Sequence, residues 1–586
     1  MKKFNTIFLS LILLPLTIFS QTNPKVNPSN FSFAVLGDRT GSAEQPIFEQ
    51  VLVTVKSLNP NFVVNVGDLI EGYSQNNDTL NNQWNFIFEN LQDIKEKFFF
   101  TPGNHDALDS LSLQIYLSRI GYKRSYYSFS VGKNHFVVLD NARQEKIEKI
   151  DSTQIQWLIT ELSKYKKSDN IFCFMHRSFW KDAYTNNKPD TFHKIFTKYG
   201  VDYVFSGHDH FYCQLIWDGI TYTQVGPSGS RYKVYYNEAY GAFQNFVLVS
   251  VKNNKVQIKL YKPDGTELEP DYVTFNNIRE LQNIEQAISI TPLAIGQNDS
   301  VSVIVNNVSD RPFITNLTWQ NNSNYWHINP QLKSITVESK SKIKEAFYCK
   351  VDNESIYPLP QFSAVYPYAL STKTFKVERK LPIHITAECY KTNSAIAIDG
   401  KLMEKVWQNA RPLNIFASNQ GDKSETDPWE VYFTYDENNL YIAGTMVDYE
   451  LNKISTTITK TDDKVYNDDH INIILQPKVA SDTYYQFFIN ANGTVLDRVC
   501  YMIGKDSKKD TKWNSEINVK AQITSGEKFT GWTVEMALPL KQFGITGFSP
   551  WGFNLVRYQT RTDKVSIYSI PFEHNPKTFA TLIFVK

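Results

Sequence analysis

Between Phe31 and Ser206, short apolar runs alternate with longer stretches in which apolar residues recur every three or four positions, and the runs end in Gly, Asp, Asn or His. Short runs read as strands and the periodic stretches as amphipathic helices, so the segment predicts an α/β unit. Strands are expected over 33–36, 62–66, 98–101, 126–129, 135–139, 171–175 and 203–206, with helices over 44–58, 80–90, 153–164 and 192–198. Beyond Tyr222 the pattern turns β-rich and predicts closing strands at 246–251 and 256–260.

A polar stretch over 276–288 marks a boundary, after which the helical period disappears. Residues 285–385 carry alternating runs at 301–305, 334–337 and 346–351 with Asn, Ser and Pro between them, the pattern of a small immunoglobulin-like β-sandwich. A second, larger β-sandwich is expected over 386–586. A chain of 586 residues needs several cores, because single cores stop growing near ~250–300 residues. The expected division is a signal segment at 1–20, an α/β domain at 28–278, and β-sandwiches at 285–385 and 386–586.

The signal segment rests on Lys2 and Lys3, the apolar stretch from Ile7 to Phe19, and the small or polar Ser20 and Gln21. That run is shorter than the ~20 residues of a spanning helix. The mature chain is therefore expected to be secreted or periplasmic, with no transmembrane segment. Net charge is only +1, and the densest basic run, Lys164 to Lys167, follows a predicted helix as a solvated face. No nucleic-acid-binding surface is implied. Five scattered cysteines form neither a disulfide framework nor a zinc motif.

Candidate chemistry lies just after the predicted strands. Five segments carry ligand-type residues: Gly37-Asp38-Arg39-Thr40-Gly41, Gly67-Asp68, Gly103-Asn104-His105-Asp106, Met175-His176-Arg177 and Gly207-His208-Asp209-His210. In α/β sheets such strand ends converge on one crevice.

The order and spelling of these segments resemble the calcineurin-like metallophosphoesterase superfamily over about residues 30–265. The resemblance implies two divalent ions, of Mn, Fe, Zn or Co type, with Asp68 bridging them. Asp38 and His210 would hold the first ion, and Asn104, His176 and His208 the second. The pair would activate water and absorb charge on the phosphoryl oxygens of a phosphate-ester substrate. His105 is similar to the family's acid for the leaving alkoxide, with Asp106 expected to orient its ring, and Arg39 and Arg177 are candidate phosphate contacts.

One departure stands out. The family's first motif is Asp-x-His, but Thr40 occupies the position of that His. A neutral hydroxyl is a poorer ligand than imidazole, so the first site is expected to be weaker. Purple acid phosphatases place a Tyr three residues after the second-motif Asp; this chain has Glu71 there, read as a loop residue before Gly72 and Tyr73, with a substitute carboxylate ligand as the alternative.

In the C-terminal region, Ile398-Asp399-Gly400, Val406-Trp407, the stretch from Trp429 to Tyr435, and Gly531-Trp532-Thr533-Val534-Glu535-Met536 occur in the order of family 9 carbohydrate-binding modules, which bind sugars. Polysaccharide binding through 386–586 is what this resemblance implies. Trp407 and Trp532 sit in apolar patterns and are expected in the core, whereas Trp429 and Trp513, with polar neighbours, are read either as sugar-stacking residues or as core. Asp462, Asp463, Asp468 and Asp469 are weighed as a structural Ca2+ site and read as exposed loop charge. The expected function is an exported phosphoesterase with a glycan-binding module. The rival is a weak or inactive phosphoesterase-fold protein that binds carbohydrate or cell envelope.

Overall fold

Phe33 packs edge-on against Phe136 and Phe172, with ring centroids 5.4 and 5.3 Å apart, and these contacts join two sheets of the computed structural model face to face. The structure describes residues 23–232, 237–297, 299–352, 356–369, 372–479, 481–503, 506–527, 529–545, 548–571 and 574–586. The expected signal segment at 1–20 lies outside them. The chain divides into two units, Met1–Gln282 and Asn283–Lys586.

In the first unit the strands are β1 (Asn30–Leu36), β2 (Phe62–Asn65), β3 (Phe98–Phe99), β4 (Tyr127–Val131), β5 (Asn134–Val138), β6 (Asn170–Phe174), β7 (Tyr203–Ser206), β8 (Cys213–Trp217), β9 (Ile220–Gln224), β10 (Phe246–Lys252), β11 (Lys255–Tyr261) and β12 (Glu267–Leu268). They form two six-stranded sheets, ordered β12-β11-β10-β1-β2-β3 and β4-β5-β6-β7-β9-β8. β1, β2 and β3 run parallel, as do β5, β6, β7 and β9. The ends of five parallel strands therefore deliver Asp38, Asp68, Asn104, His176 and His208.

The first sheet is covered by α1 (Ile47–Leu58), α2 (Asn77–Asn90) and α3 (Ser110–Ile120). Their apolar stripes, including Val51, Val55, Trp84 and Tyr116, pack with Ala34, Leu36 and Val63. α3 was not expected because Ser110-Leu111-Ser112-Leu113 alternates with period two, like a strand. Its start is fixed by a reciprocal cap: Asp109 accepts from Ser112 N at 2.9 Å, and Asp109 N donates to Ser112 Oγ at 3.0 Å. The polar stretch at 276–288, read as a boundary, has regular structure of its own. It is a helix, Phe275–Ala287, in which Ile278, Leu281 and Ile284 are buried at three-residue spacing among polar neighbours.

In the second unit, Ile288–Ile290, Ser300–Asn306, Lys342–Val351 and Trp326–Asn329 form one four-stranded sheet, in that order. Leu332–Val337, Phe313–Gln320, Gln361–Tyr368 and Lys373–Lys380 form another. Trp319 bridges the two, 6.0 Å from the Phe347 ring and 5.2 Å from that of Phe362. Leu293–Ala294 and Ile383–His384 pair as a two-stranded sheet, and the other strands form a twelve-stranded ladder. Within it the pieces quoted from the sequence meet: buried Glu535 accepts from Asp399 N, Gly400 N and Trp407 Nε1 at 3.1, 2.7 and 2.8 Å.

Of the two readings of Trp429, the structure gives core burial. The residue is 3 % exposed and stacks on Phe416 at 3.8 Å, so its face is already occupied by the core. Asp468 and Asp469 are buried rather than exposed. Asp468 accepts from Thr457 N, Ile458 N and Asn490 Nδ2, and Asp469 from Ser455 N, so they pin a loop to the ladder. All five cysteines are free and buried.

Candidate metal centre

Each ligand segment turns sharply off its strand, and the backbone shows it. Asp68, His208 and His210 have φ of 58°, 80° and 56°, values that cost a non-glycine residue energy and cluster at functional sites. Asp68 wedges against Gly103 so tightly that a Cβ there would stand 2.1 Å from Asp68 Oδ1. Gly103 is required by close approach.

Asp68, His176 and His208 offer ligand atoms within 4.8 Å of one another. Asp68 Oδ2 lies 3.2 Å from His176 Nε2, Asn104 Oδ1 is 2.9 Å from the same nitrogen, and His208 Nδ1 is 3.1 Å from it. On the other side His210 Nε2 is 3.3 Å from Asp38 Oδ2, and Asp38 accepts from His208 N. His176 Nδ1 faces the Val66 carbonyl at 2.8 Å and His210 Nδ1 faces that of Arg231 at 2.7 Å. A carbonyl only accepts, so each ring donates from Nδ1 and turns Nε2 inward, the arrangement of a metal-ligating histidine. This donor set of carboxylate, amide oxygen and imidazole fits divalent ions.

The electrostatics agree. Burial pushes the Asp68 carboxyl up, but the charge and hydrogen bond of His176, with His105, hold it at about 2. Burial lowers His176, yet Asp68 and then Asp38 raise it to about 9. His208 is held at about 4, chiefly by burial and then by the charge of His176.

His105 sits at the rim with Nε2 4.0 Å from Asp68 Oδ2, and its backbone N–H donates to Asp68 Oδ1 at 2.8 Å. Asp106 does not orient its ring. Asp106 is fully buried and accepts from the amides of Asp68, Leu69, Ile70 and Gly103, so it builds the turn that presents Asp68. Burial and the Asp68 charge push its carboxyl up to about 6 despite those donors. The ring is fixed by the Glu71 carbonyl, 2.7 Å from His105 Nδ1.

The two arginines part company. Arg177 Nη1 is 2.9 Å from His208 Nε2 while its Nε donates to Ala142 O at 3.0 Å, so it lies beside the ligands. Arg39 is 8 % exposed, donates to Leu69 O and lies 4.8 Å over Phe86, contacts that anchor a loop instead of facing a phosphate. Thr40 is fully buried. Burial raises the Glu71 carboxyl, but the Thr40 hydroxyl and the Ala43 amide hold it below its usual range. The two unusual residues of the first site are therefore neighbours. Asp209 turns aside into an ion pair with Lys181.

Two supporting residues were missed in the sequence. Buried Asn141 accepts from His176 N and Arg177 N at 3.0 and 2.9 Å and donates to Arg177 O at 2.8 Å, clamping that turn. Tyr73, with φ of 47°, accepts from Asn104 Nδ2 at 2.7 Å and meets the His105 ring edge-on at 4.4 Å. Asn141 follows a predicted strand just as the ligands do, which was the available signal; Tyr73 had none.

A pair of facing sheets with Asp, Asn and His donors at the strand ends forms a phosphoesterase-like α/β domain. Residues 31–212 match the model of the calcineurin-like phosphoesterase family, and residues 398–579 match that of the carbohydrate family 9 binding domain-like family. Solved structures similar to parts of the chain include a dimetal phosphatase from Danio rerio, with 15 % identity, 41 % of this chain and 99 % of that one covered, and a TM-score of 0.31. A family 9 carbohydrate-binding module from Caldicellulosiruptor kristjanssonii in complex with cellotriose has 14 % identity, 34 % and 93 % coverage and a TM-score of 0.25. The anchor in the inner membrane complex of Plasmodium has 16 % identity, 41 % and 88 % coverage and a TM-score of 0.31. No curated protein matches the chain.

Proposed function

We propose that the chain is an exported, metal-dependent phosphoesterase that hydrolyses a phosphate ester, with a glycan-binding module over 386–586. The observation that carries this reading is the convergence of Asp68, His176 and His208, from three separate strand ends, within 4.8 Å. Divalent ions held by Asp38, Asp68 and His210, and by Asp68, Asn104, His176 and His208, would supply Lewis acidity toward water and the phosphoryl oxygens. His105, its Nδ1 proton held by Glu71 O at 2.7 Å, presents Nε2 to give a proton to the leaving alkoxide. Arg177, beside His208, is placed to pair with a phosphate oxygen. Tyr73 holds the Asn104 amide nitrogen, which leaves the amide oxygen facing His176. The 285–385 region, as an immunoglobulin-like spacer, and export by a signal at 1–20 complete the proposal.

A second reading has its own observation. Thr40, fully buried beside Glu71, replaces a nitrogen ligand. On that reading turnover is weak or lost, and the chain is a carbohydrate or cell-envelope binding protein. Metal analysis of the purified chain, with hydrolysis of aryl phosphate mono- and diesters in added Mn2+, Zn2+ or Fe2+, decides between them. Turnover abolished by Asp68→Ala supports the enzyme; no turnover with any ion, or a trace that survives the substitution, supports the binding protein.

A further inference from the structure

One face of the C-terminal ladder carries buried positive charge with no negative partner among the described residues. Gln486 pairs with Arg498 across Thr483–Asn490 and Val495–Ile503, and Cys500, two residues on, pairs with Lys509 of Asp506–Asp510. Residues two apart on a strand share a face, so the three side chains adjoin. Arg498 is 9 % exposed; its Nε and Nη2 donate to Gln486 Oε1 at 2.8 and 2.6 Å, and its guanidinium lies 4.9 Å over Phe488. Among the described residues no carboxylate forms an ion pair with Arg498 or Lys509, and burial, then the Arg498 charge, push the Lys509 ammonium below its usual range. Buried charges are ordinarily paired. This one is held only by neutral groups.

Two further atoms point to a ligand. Among the described residues Gln486 Nε2, on a side chain with 0 % exposure, has no hydrogen-bond partner, and neither has Asn472 Oδ1 at 4 % exposure. Asn472 pairs with Phe488, which places it diagonally across from Gln486 on the same face. The donors Arg498, Lys509 and Gln486 suit an oxyanion, and the acceptor Asn472 suits an adjoining hydroxyl. The positive field also reaches His574, which burial, then Lys509 and Arg498, hold at about 4.

We propose that this face, through Arg498 and the exposed Lys509, receives the carboxylate or sulfate of an acidic sugar. The inference rests on the glycan-binding reading of 386–586 and names its ligand class. Calorimetry on the full chain, with polygalacturonate and dextran sulfate as the two anionic probes, dextran and cello-oligosaccharides as neutral ones, and glucuronate and inorganic sulfate as free anions, tests it. One anionic polymer is expected to bind, weakening by about tenfold in exposed Lys509→Gln, as suits loss of one charge-assisted bond, and further in Arg498→Gln. Neutral polymers binding as well as anionic ones, unmoved by Lys509→Gln, would overturn the acidic-sugar inference and leave the glycan reading intact. Free anions binding through Arg498 with no polymer bound would sink the glycan reading and, with it, the sugar part of the inference. Binding of none of the probes overturns both.

Discussion

The Glu71 carbonyl oxygen lies 2.7 Å from His105 Nδ1. Because the bond comes from backbone, the orientation of the imidazole survives any side-chain change at position 71. The His105 amide contact with Asp68 Oδ1 likewise survives His105→Ala. That substitution should therefore remove proton donation while leaving the ligand turn in place. Hydrolysis of alkyl phosphate esters is expected to fall by about 10²–10⁴-fold, a usual range for a positioned acid, and that of 4-nitrophenyl esters much less, since their leaving group needs no proton. Equal losses on both substrates would assign His105 to positioning.

Asp68 and His176 form a buried pair in which the imidazole is held at about 9. An ion binds only the neutral ring, so binding must expel that proton. Metal affinity should rise by about tenfold per pH unit between pH 7 and 9, with close to one proton released. Titration calorimetry in buffers of different ionisation enthalpy reads the proton count; zero would rule out His176 as a ligand.

Gly103→Ala tests the wedge under Asp68. Its Cβ would stand 2.1 Å from Asp68 Oδ1 and 2.2 Å from Asp68 N, so the carboxylate must shift. Metal content should drop at least about tenfold, the scale seen when supporting contacts of a metal site are lost, while circular dichroism stays native. Unchanged metal content would show that Asp68 is not needed where the structure puts it.

His135 and His470 are both buried and both held at about 4, by burial above all. The unfolded value is about 6.5, so the unfolded chain takes up more protons between the two values. Stability from the neutral rings is complete above pH 6.5 and is lost as pH falls toward 4, by about 3 kcal/mol for each. Melting curves from pH 7 to 4 should show the loss, and His470→Gln should flatten it for the transition that reports the C-terminal ladder. A slope unaltered by that change would contradict the assignment.

Trp429 and Trp513 separate core from surface. Trp429→Ala should cost about 3–5 kcal/mol, as for other buried aromatic truncations, because Trp429 is stacked on Phe416. Trp513, half-buried with its ring 5.0 Å from that of Tyr485, should cost less. Chemical denaturation of the two variants compares them, and similar stabilities would refute the burial of Trp429.

Elements whose pattern was unambiguous were legible in the sequence. The strand and helix periods before Ser206 and the ligand blocks at the strand ends were readable because apolar period and a following Gly, Asp or His are local features. Ser110–Ile120 was not, because its first four residues alternate like a strand and only the Asp109 cap marks a helix. Asp106 was misread as the partner of His105, since adjacency in sequence says nothing of the four amides it reaches across the turn. Trp429 stayed open between core and sugar-stacking surface because its polar neighbours concealed the facing Phe416, which lies thirteen residues away in sequence. Tyr73 depends on a loop conformation that no pattern encodes.

The left-handed backbone beneath Asp68, His208 and His210 also limits how this centre could be re-engineered. Asn, Asp and His tolerate that conformation better than most side chains, whereas β-branched residues resist it. Swaps among those three types are the inexpensive route to a different ion preference. Installing thiolate ligands for a softer metal would mean rebuilding the turns as well as the side chains.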